Sequence, residues 1–434
     1  MTEPDNGSGP IPDSTFARLA VGGGGRNAVE QLAAAERAKH VRILSRIVAV
    51  ADAVGHPQRQ WVIEGRDLLA RALQHNLEEA KQAVRHPSVG LWASRTLLAL
   101  REGRPLPGAE PGGLCAIAAA AAIRAGIAAE ITIPVSRGRA MLPSLGVALA
   151  PGPTVVARCA DGQAAVGDVR LPDDRHVDAP GWIGLRRVRA GSIDGRAFDV
   201  LIDDLDPFRF PSSEQLPGHQ PATPWAAILS EGWAVLQTHH PQVAAEVAAA
   251  VSVITPIAGT RLRPVSASSP VVFGTVAMSR PADAVSCAET LTHEMQHIKL
   301  GALLDFLPLT QPDDGRRYYA PWRADPRPLG GLLQGAYAYL GVSGFWRRQR
   351  LQAGYEEHGD AQFARWRAAA NLVVDTMLAS GGLSSAGEEF VSGMKRTLQA
   401  WLREHVSADA LASAEQAARE HRACWEAAHG PVQT

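Results

Sequence analysis

The sequence predicts an α+β protein that is predominantly helical, with an N-terminal helical module, a central region of short strands, a zincin-like HExxH helix and a set of C-terminal helices. Three observations carry that expectation. Apolar residues recur at helical spacing at both ends of the chain, Glu130 to Phe210 is instead rich in Gly and Pro with short β-branched pieces, and His293 and His297 stand four apart in a helical pattern. The 434 residues, 46% of them hydrophobic, suffice for two or three globular units with proper cores.

Residues 1–26 read as a flexible lead closed by the Gly22 to Gly25 run, which precedes no strand–helix phosphate motif. Met1 to Pro12 lacks the basic and apolar regions of an export signal. From Asn27 the pattern turns helical. Asn27 and Glu30 have capping-box spacing, Ile43, Ile47, Val50 and Val54 recur at helical intervals, and Gly55 is a natural stop. Segments Trp61 to Val84, Gly90 to Arg101 and Cys115 to Ala125 extend a helical module over residues 27–128. Residues 129–222 follow as a β-rich region with strands such as Thr154 to Ala157 and Phe198 to Ile202. Its acidic cluster Asp203, Asp204 and Asp206 reads as a solvated strand end, with a cation site as the alternative.

The last region, 223–434, opens with a helix from Trp225 to Ala250, whose adjacent His239 and His240 point about 100° apart and suit a surface or capping role. A strand over Val271 to Ala277 leads to a helix that begins after Ser279, with Pro281 in its first turn, and cannot pass Pro308. A helix pair from Leu329 and two or three helices between Ala361 and Ala428 complete the chain.

Charge narrows the function. With 43 Lys+Arg against 44 Asp+Glu, no field exists to hold a polyphosphate backbone or an anionic membrane, so neither nucleic acid nor membrane is an expected partner. The Ala-rich stretch Leu114 to Ile133 is interrupted by Arg124, Gly126 and Glu130 and is too weak for a bilayer span. Four scattered cysteines form no CxxC pair and read as buried free thiols, in line with a cytoplasmic location.

Thr292 to His297 spells HExxH, a pattern expected by chance about 0.02 times in such a chain. Ala288, Leu291, Met295, Ile298 and Ala302 form an apolar stripe, and His293 and His297 share the other side of the helix. Two imidazoles one turn apart chelate a divalent ion, with Glu294 near its open face as the candidate catalytic carboxylate. HExxH alone suggests Zn(II) and peptide hydrolysis, with the glutamate as general base. A third ligand is missing from that pattern. Leu300 and Leu303 stand where the metzincin extension needs glycine and histidine. No glutamate falls between Glu294 and Glu356, and Leu329 to Arg350 holds no Asp, Glu or His.

The blocks Glu289 to Leu300, Tyr319 to Leu329 (YAPWRADPRPL) and Leu332 to Ala338 resemble the HExxH-domain proteins found with ribosomally made peptide natural products, the α-ketoglutarate-dependent HExxH-type peptide β-hydroxylases. The resemblance extends to Gly274 to Met278 and Ala28 to Val54, and it is to the form without a fused radical-SAM module. It implies Fe(II) held by His293 and His297, α-ketoglutarate as co-substrate, a precursor peptide as substrate and a radical-SAM maturation enzyme as a pathway partner. In this family a later helix offers a histidine about where Gln334 stands, which makes Gln334 a third-ligand candidate beside Asp305, Asp325 and His358. Arg323 and Arg327 present forks suited to the distal carboxylate of α-ketoglutarate, or else pair with nearby aspartates to stiffen their loop. Trp322 is expected to line the pocket. Three readings stay open: peptide hydroxylase, zinc metallopeptidase, and non-catalytic peptide-binding partner.

Overall fold

The N-terminal periodicity is realised as α1 (Asp13–Ala20), α2 (Gly25–Ala53), α3 (Arg59–His75), α4 (Leu77–Val84), α5 (Pro87–Glu102) and α6 (Gly113–Ala125). A computed structural model describes residues 11–193, 195–211, 221–259 and 264–432, apart from the side chains of Arg196 and Ala222. Residues 1–10 of the expected lead lie outside the described residues. The rest of it is ordered, because α1 is amphipathic: it buries Thr15, Leu19 and Ala20, and Tyr337 donates a 2.8 Å hydrogen bond to the Leu19 carbonyl. Helix α2 starts at Gly25, two residues before the expected box, so Asn27 caps nothing and Gly24 precedes the first turn. The segment from Trp61 to Val84 breaks at Asn76, whose side chain accepts from the Glu79 amide and starts α4.

The Gly/Pro-rich region forms β1 (Ala129–Pro134), β2 (Arg139–Leu142), β3 (Gly146–Leu149), β4 (Thr154–Ala160), β5 (Gln163–Val166), β6 (Val169–Arg170), β7 (Trp182–Gly184), β8 (Arg186–Ile193) and β9 (Arg196–Ile202). Two antiparallel sheets result, ordered β1-β4-β5-β6 and β2-β3-β7. After α7 (Ala222–His239) and α8 (Pro241–Ala250), split at Pro241, come β10 (Val253–Pro256), β11 (Ser266–Ala267) and β12 (Thr275–Met278). These join β8 and β9 in a mixed sheet ordered β11-β12-β10-β9-β8, in which β10 runs parallel to β9 and β12 while the outermost β11 is antiparallel. The strand expected from Val271 begins only at Thr275, after a single turn of 3-10 helix.

Helix α9 (Ala284–Leu304) carries the HExxH motif, followed by α10 (Leu329–Gln349), α11 (Glu356–Ala379), α12 (Ser385–Leu402) and α13 (Ala408–His429). Asp283 caps α9 by accepting from the Ser286 amide at 2.8 Å, so the helix starts five residues after Ser279 rather than at Pro281. The pair expected from Leu329 is one helix. Helices make up 56% of the structure, and the class is α+β, predominantly helical.

The expected division at 128 and 129 runs through one core. Ile47, Leu68, Trp92 and Ile117 of the helical module pack with Ile133, Leu142 and Val166 of the first two sheets, so each part covers the other's apolar face. Strands β8 and β9 instead share a second core with α7, α8, α9 and α10. Helix α2, roughly 44 Å long at 1.5 Å per residue, spans both: Val29 enters the second core and Ile47 the first. Asp203, Asp204 and Asp206 are buried rather than solvated.

Candidate metal centre

The stripe Ala288, Leu291, Met295, Ile298 and Ala302 is buried, as its spacing requires. Helix α9 is also gripped at points where a neighbour has no side chain. A Cβ on Gly232 of α7 would meet the Cys287 Sγ at 2.6 Å, and one on Gly341 of α10 would meet Gln296 at 2.4 Å. The Trp346 indole donates to Glu289 at 2.8 Å, so α10 runs antiparallel to α9 with Gln334 beside His297.

His293 and His297 are half-buried, and their Nε2 atoms lie 3.2 Å apart. Two nitrogens bound to one tetrahedral ion at about 2.0–2.1 Å stand about 3.3 Å apart, so the pair has chelating geometry. Gln334 Oε1 lies 3.0 Å from His297 Nδ1. A carboxamide oxygen only accepts, so the His297 Nδ1 carries the proton in this bond. Gln334 therefore bonds the His297 nitrogen that faces away from His293. Burial, with His297 adjacent, pushes the His293 pKa well below the usual imidazole value, and the ring stays neutral for metal binding.

Glu294 is 1% exposed and accepts a 2.6 Å hydrogen bond from Ser266 of β11. Its Oε1 is 4.0 Å from His293 Nε2, while its Oε2 is buried without a hydrogen-bond partner. An orphaned carboxylate oxygen beside the two imidazoles fits a cation at this place. No further His, Cys, Asp or Glu among the described residues closes a three-ligand cluster with the pair. Asp305 pairs with Lys39, Asp325 with Arg323 and Arg327, and His358 is exposed on α11 with its ring edge-on to Trp346.

The PWRADPRP block is a closed loop. Tyr318 and Arg327 exchange backbone hydrogen bonds of 2.8 and 2.9 Å, and His429 of α13 bonds the Ala324 carbonyl. Inside it Trp322 stacks on Tyr339 with ring centroids 4.6 Å apart, and Tyr339 meets the His293 ring edge-on at 5.5 Å. Trp322 lies flat on Gly335, where a Cβ would come within 2.5 Å of the indole nitrogen. Arg323 and Arg327 flank Asp325 at 2.8 and 3.0 Å and hold its carboxyl below the usual range. This is the loop-stiffening arrangement; two guanidinium groups on one carboxylate leave one positive charge uncompensated.

The structure thus gathers His293, His297, Glu294, Gln334 and Trp322, with Arg323 and Arg327 in the adjoining loop. Sequence reasoning missed Tyr339 and Ser266. Gly335 and Tyr339, four apart on α10, form a flat seat for an indole, a signal present in the sequence; nothing local marks Ser266. A cavity of about 240 Å³ lies on the Thr292 and Gln296 side of α9, lined by His240, Glu246 and Leu340, and neither HExxH histidine lines it. No helix among the described residues is long and apolar enough to cross a membrane. Compared with protein-family models the chain matches none, and no curated protein matches it.

Proposed function

We propose that the chain is an Fe(II)- and α-ketoglutarate-dependent hydroxylase acting on a β-carbon of a residue in a ribosomally made precursor peptide. The observation that carries this reading is the two-histidine pair on α9, its Nε2 atoms 3.2 Å apart, with the arginine pair of the PWRADPRP loop in the adjoining segment. An ion held by the two histidines keeps positions open for a bidentate co-substrate. When bound, Fe(II) supplies the electrons that activate dioxygen. Over the cycle α-ketoglutarate, O₂ and a C–H bond become succinate, CO₂ and a C–OH group.

The chain's own residues have separate tasks. Gln334 fixes the tautomer of His297, and Ser266 holds Glu294 in one orientation. Trp322 and Tyr339 wall the His293 side and keep water from it. The surplus positive charge of Arg323 and Arg327 attracts the distal carboxylate of the co-substrate. The outer strand β11, beside Glu294, offers a sheet edge to an extended peptide. Four free thiols support a cytoplasmic location, where a radical-SAM enzyme of the same pathway would share the peptide.

The free oxygen of Glu294 favours one alternative, a zinc peptidase using it as general base. Glu294→Gln separates the two. The hydroxylase retains partial activity, with product mass raised by one oxygen and the peptide uncut. Cleaved peptide formed without α-ketoglutarate, and lost in this variant, would establish the peptidase instead.

A further inference from the structure

Asp203 and Asp206 follow β9, and His86 precedes α5, yet the fold buries them against one another at 0%, 3% and 3% exposure. The protons around them can be counted. Asp203 Oδ1 accepts from the Leu205 and Asp206 amides at 3.1 and 2.9 Å, and Asp206 Oδ1 accepts from the Phe208 amide at 2.7 Å. Ser88 gives its single hydroxyl proton to Asp206 Oδ2 at 2.7 Å, and the Ser88 Oγ itself lies 2.7 Å from His86 Nδ1. Nδ1 must then be the donor in that contact, which leaves only a lone pair on Nε2 of the neutral ring.

That lone pair faces the Asp203 Oδ2 at 3.7 Å. Both atoms are buried, and neither has a hydrogen-bond partner. Two acceptors confronting each other away from water require a cation between them. Neighbouring arginines do not supply it. Arg186 is committed to Asp204 at 2.6 Å, and Arg209 donates to the Asp206 main-chain carbonyl. A proton on Nε2 shared with the carboxylate would draw the pair to about 2.7–2.9 Å. The observed gap is instead close to the ligand–ligand edge of about 3.3 Å around a tetrahedral ion.

We propose that His86, Asp203 and Asp206 form a second, buried divalent-cation site, suited to a zinc-like ion. One donor atom from each residue lies within 4.8 Å of the other two. Two carboxylates neutralise a divalent ion, and a neutral imidazole completes a donor set typical of first-row metals. The ion would tie the start of α5 in the first core to the exit of β9 in the second, a structural clamp independent of the HExxH pair.

The test is metal stoichiometry on the full chain. Protein produced in zinc-supplemented medium is expected to hold two equivalents by elemental analysis. His293→Ala with His297→Ala is expected to leave one. Adding Asp203→Asn or His86→Gln to that double variant should remove the remaining equivalent, with circular dichroism checking that the chain is folded. Should those buried substitutions prevent folding, the double variant refolded with Co(II) is read instead: a visible d–d band of tetrahedral type supports the site. A folded double variant with less than a tenth of an equivalent of zinc and no Co(II) band would overturn it, as would retention of the metal after Asp203→Asn.

Discussion

Gln334 offers the sharpest test of the metal centre, because its oxygen lies 3.0 Å from the nitrogen of His297 that faces away from His293. Gln334→Leu keeps the side chain's bulk and removes the acceptor. His297 then loses the partner that fixes both its tautomer and its ring angle, while the 3.2 Å chelating pair on α9 is otherwise untouched. Losing such an outer partner costs about 10- to 100-fold in metal affinity, or roughly 1.4–2.7 kcal/mol. Gln334→Glu goes the other way, since a carboxylate makes the imidazole a stronger donor, and binding equal to or tighter than wild type is expected. Competition with a fluorescent chelator, using Zn(II) and Co(II), measures both. A Leu variant within twofold of wild type would refute the orienting role. Gln334→His binding more than tenfold tighter would make position 334 a ligand position and refute it from the other side.

Gly335→Ala places a methyl group 2.5 Å from the Trp322 indole nitrogen. Overpacking of about 1–3 kcal/mol outweighs a helix-propensity gain of up to about 1 kcal/mol; urea unfolding should show a net loss, and a net gain would mean that Trp322 is not seated there. His240 is 1% exposed, stacked on Phe345 at 4.2 Å, and burial lowers its pKa to about 4. The unfolded chain therefore binds the extra proton, and this contribution to stability is present above about pH 6.5 and lost as pH falls towards 4, up to about 3 kcal/mol. His240→Gln should flatten the stability profile over that interval; an unchanged slope would clear His240 of the effect. Arg323→Ala and Arg327→Ala should each raise the α-ketoglutarate requirement about ten- to hundredfold in a succinate assay. Equality of both with wild type would leave these arginines only the stiffening of the loop around Asp325.

What the sequence by itself determined lies within single helices or within strong composition contrasts. His293 and His297 meet because residues four apart on a helix always share a face, and the stripe from Ala288 to Ala302 is buried for the same reason. The predominance of helix and the short-stranded centre follow from periodicity and from Gly and Pro content. Ends of elements were less legible. Asp283 and Asn76 cap helices where an apolar pattern alone suggested other limits, because a cap is one hydrogen bond and a pattern is an average over a turn.

Only the tertiary structure decided which distant groups face one another. Gln334 orients His297 because α10 crosses α9 closely at Gly341, and Ser266 reaches Glu294 because β11 folds back along β12. His86 meets Asp203 and Asp206 across more than a hundred residues, at a contact between two cores that share α2. That the helices before Ala125 and the strands after Ala129 share a core was not legible for the same cause: apolar surface pairs with whatever surface completes a core, and periodicity records that a face is apolar without recording what covers it.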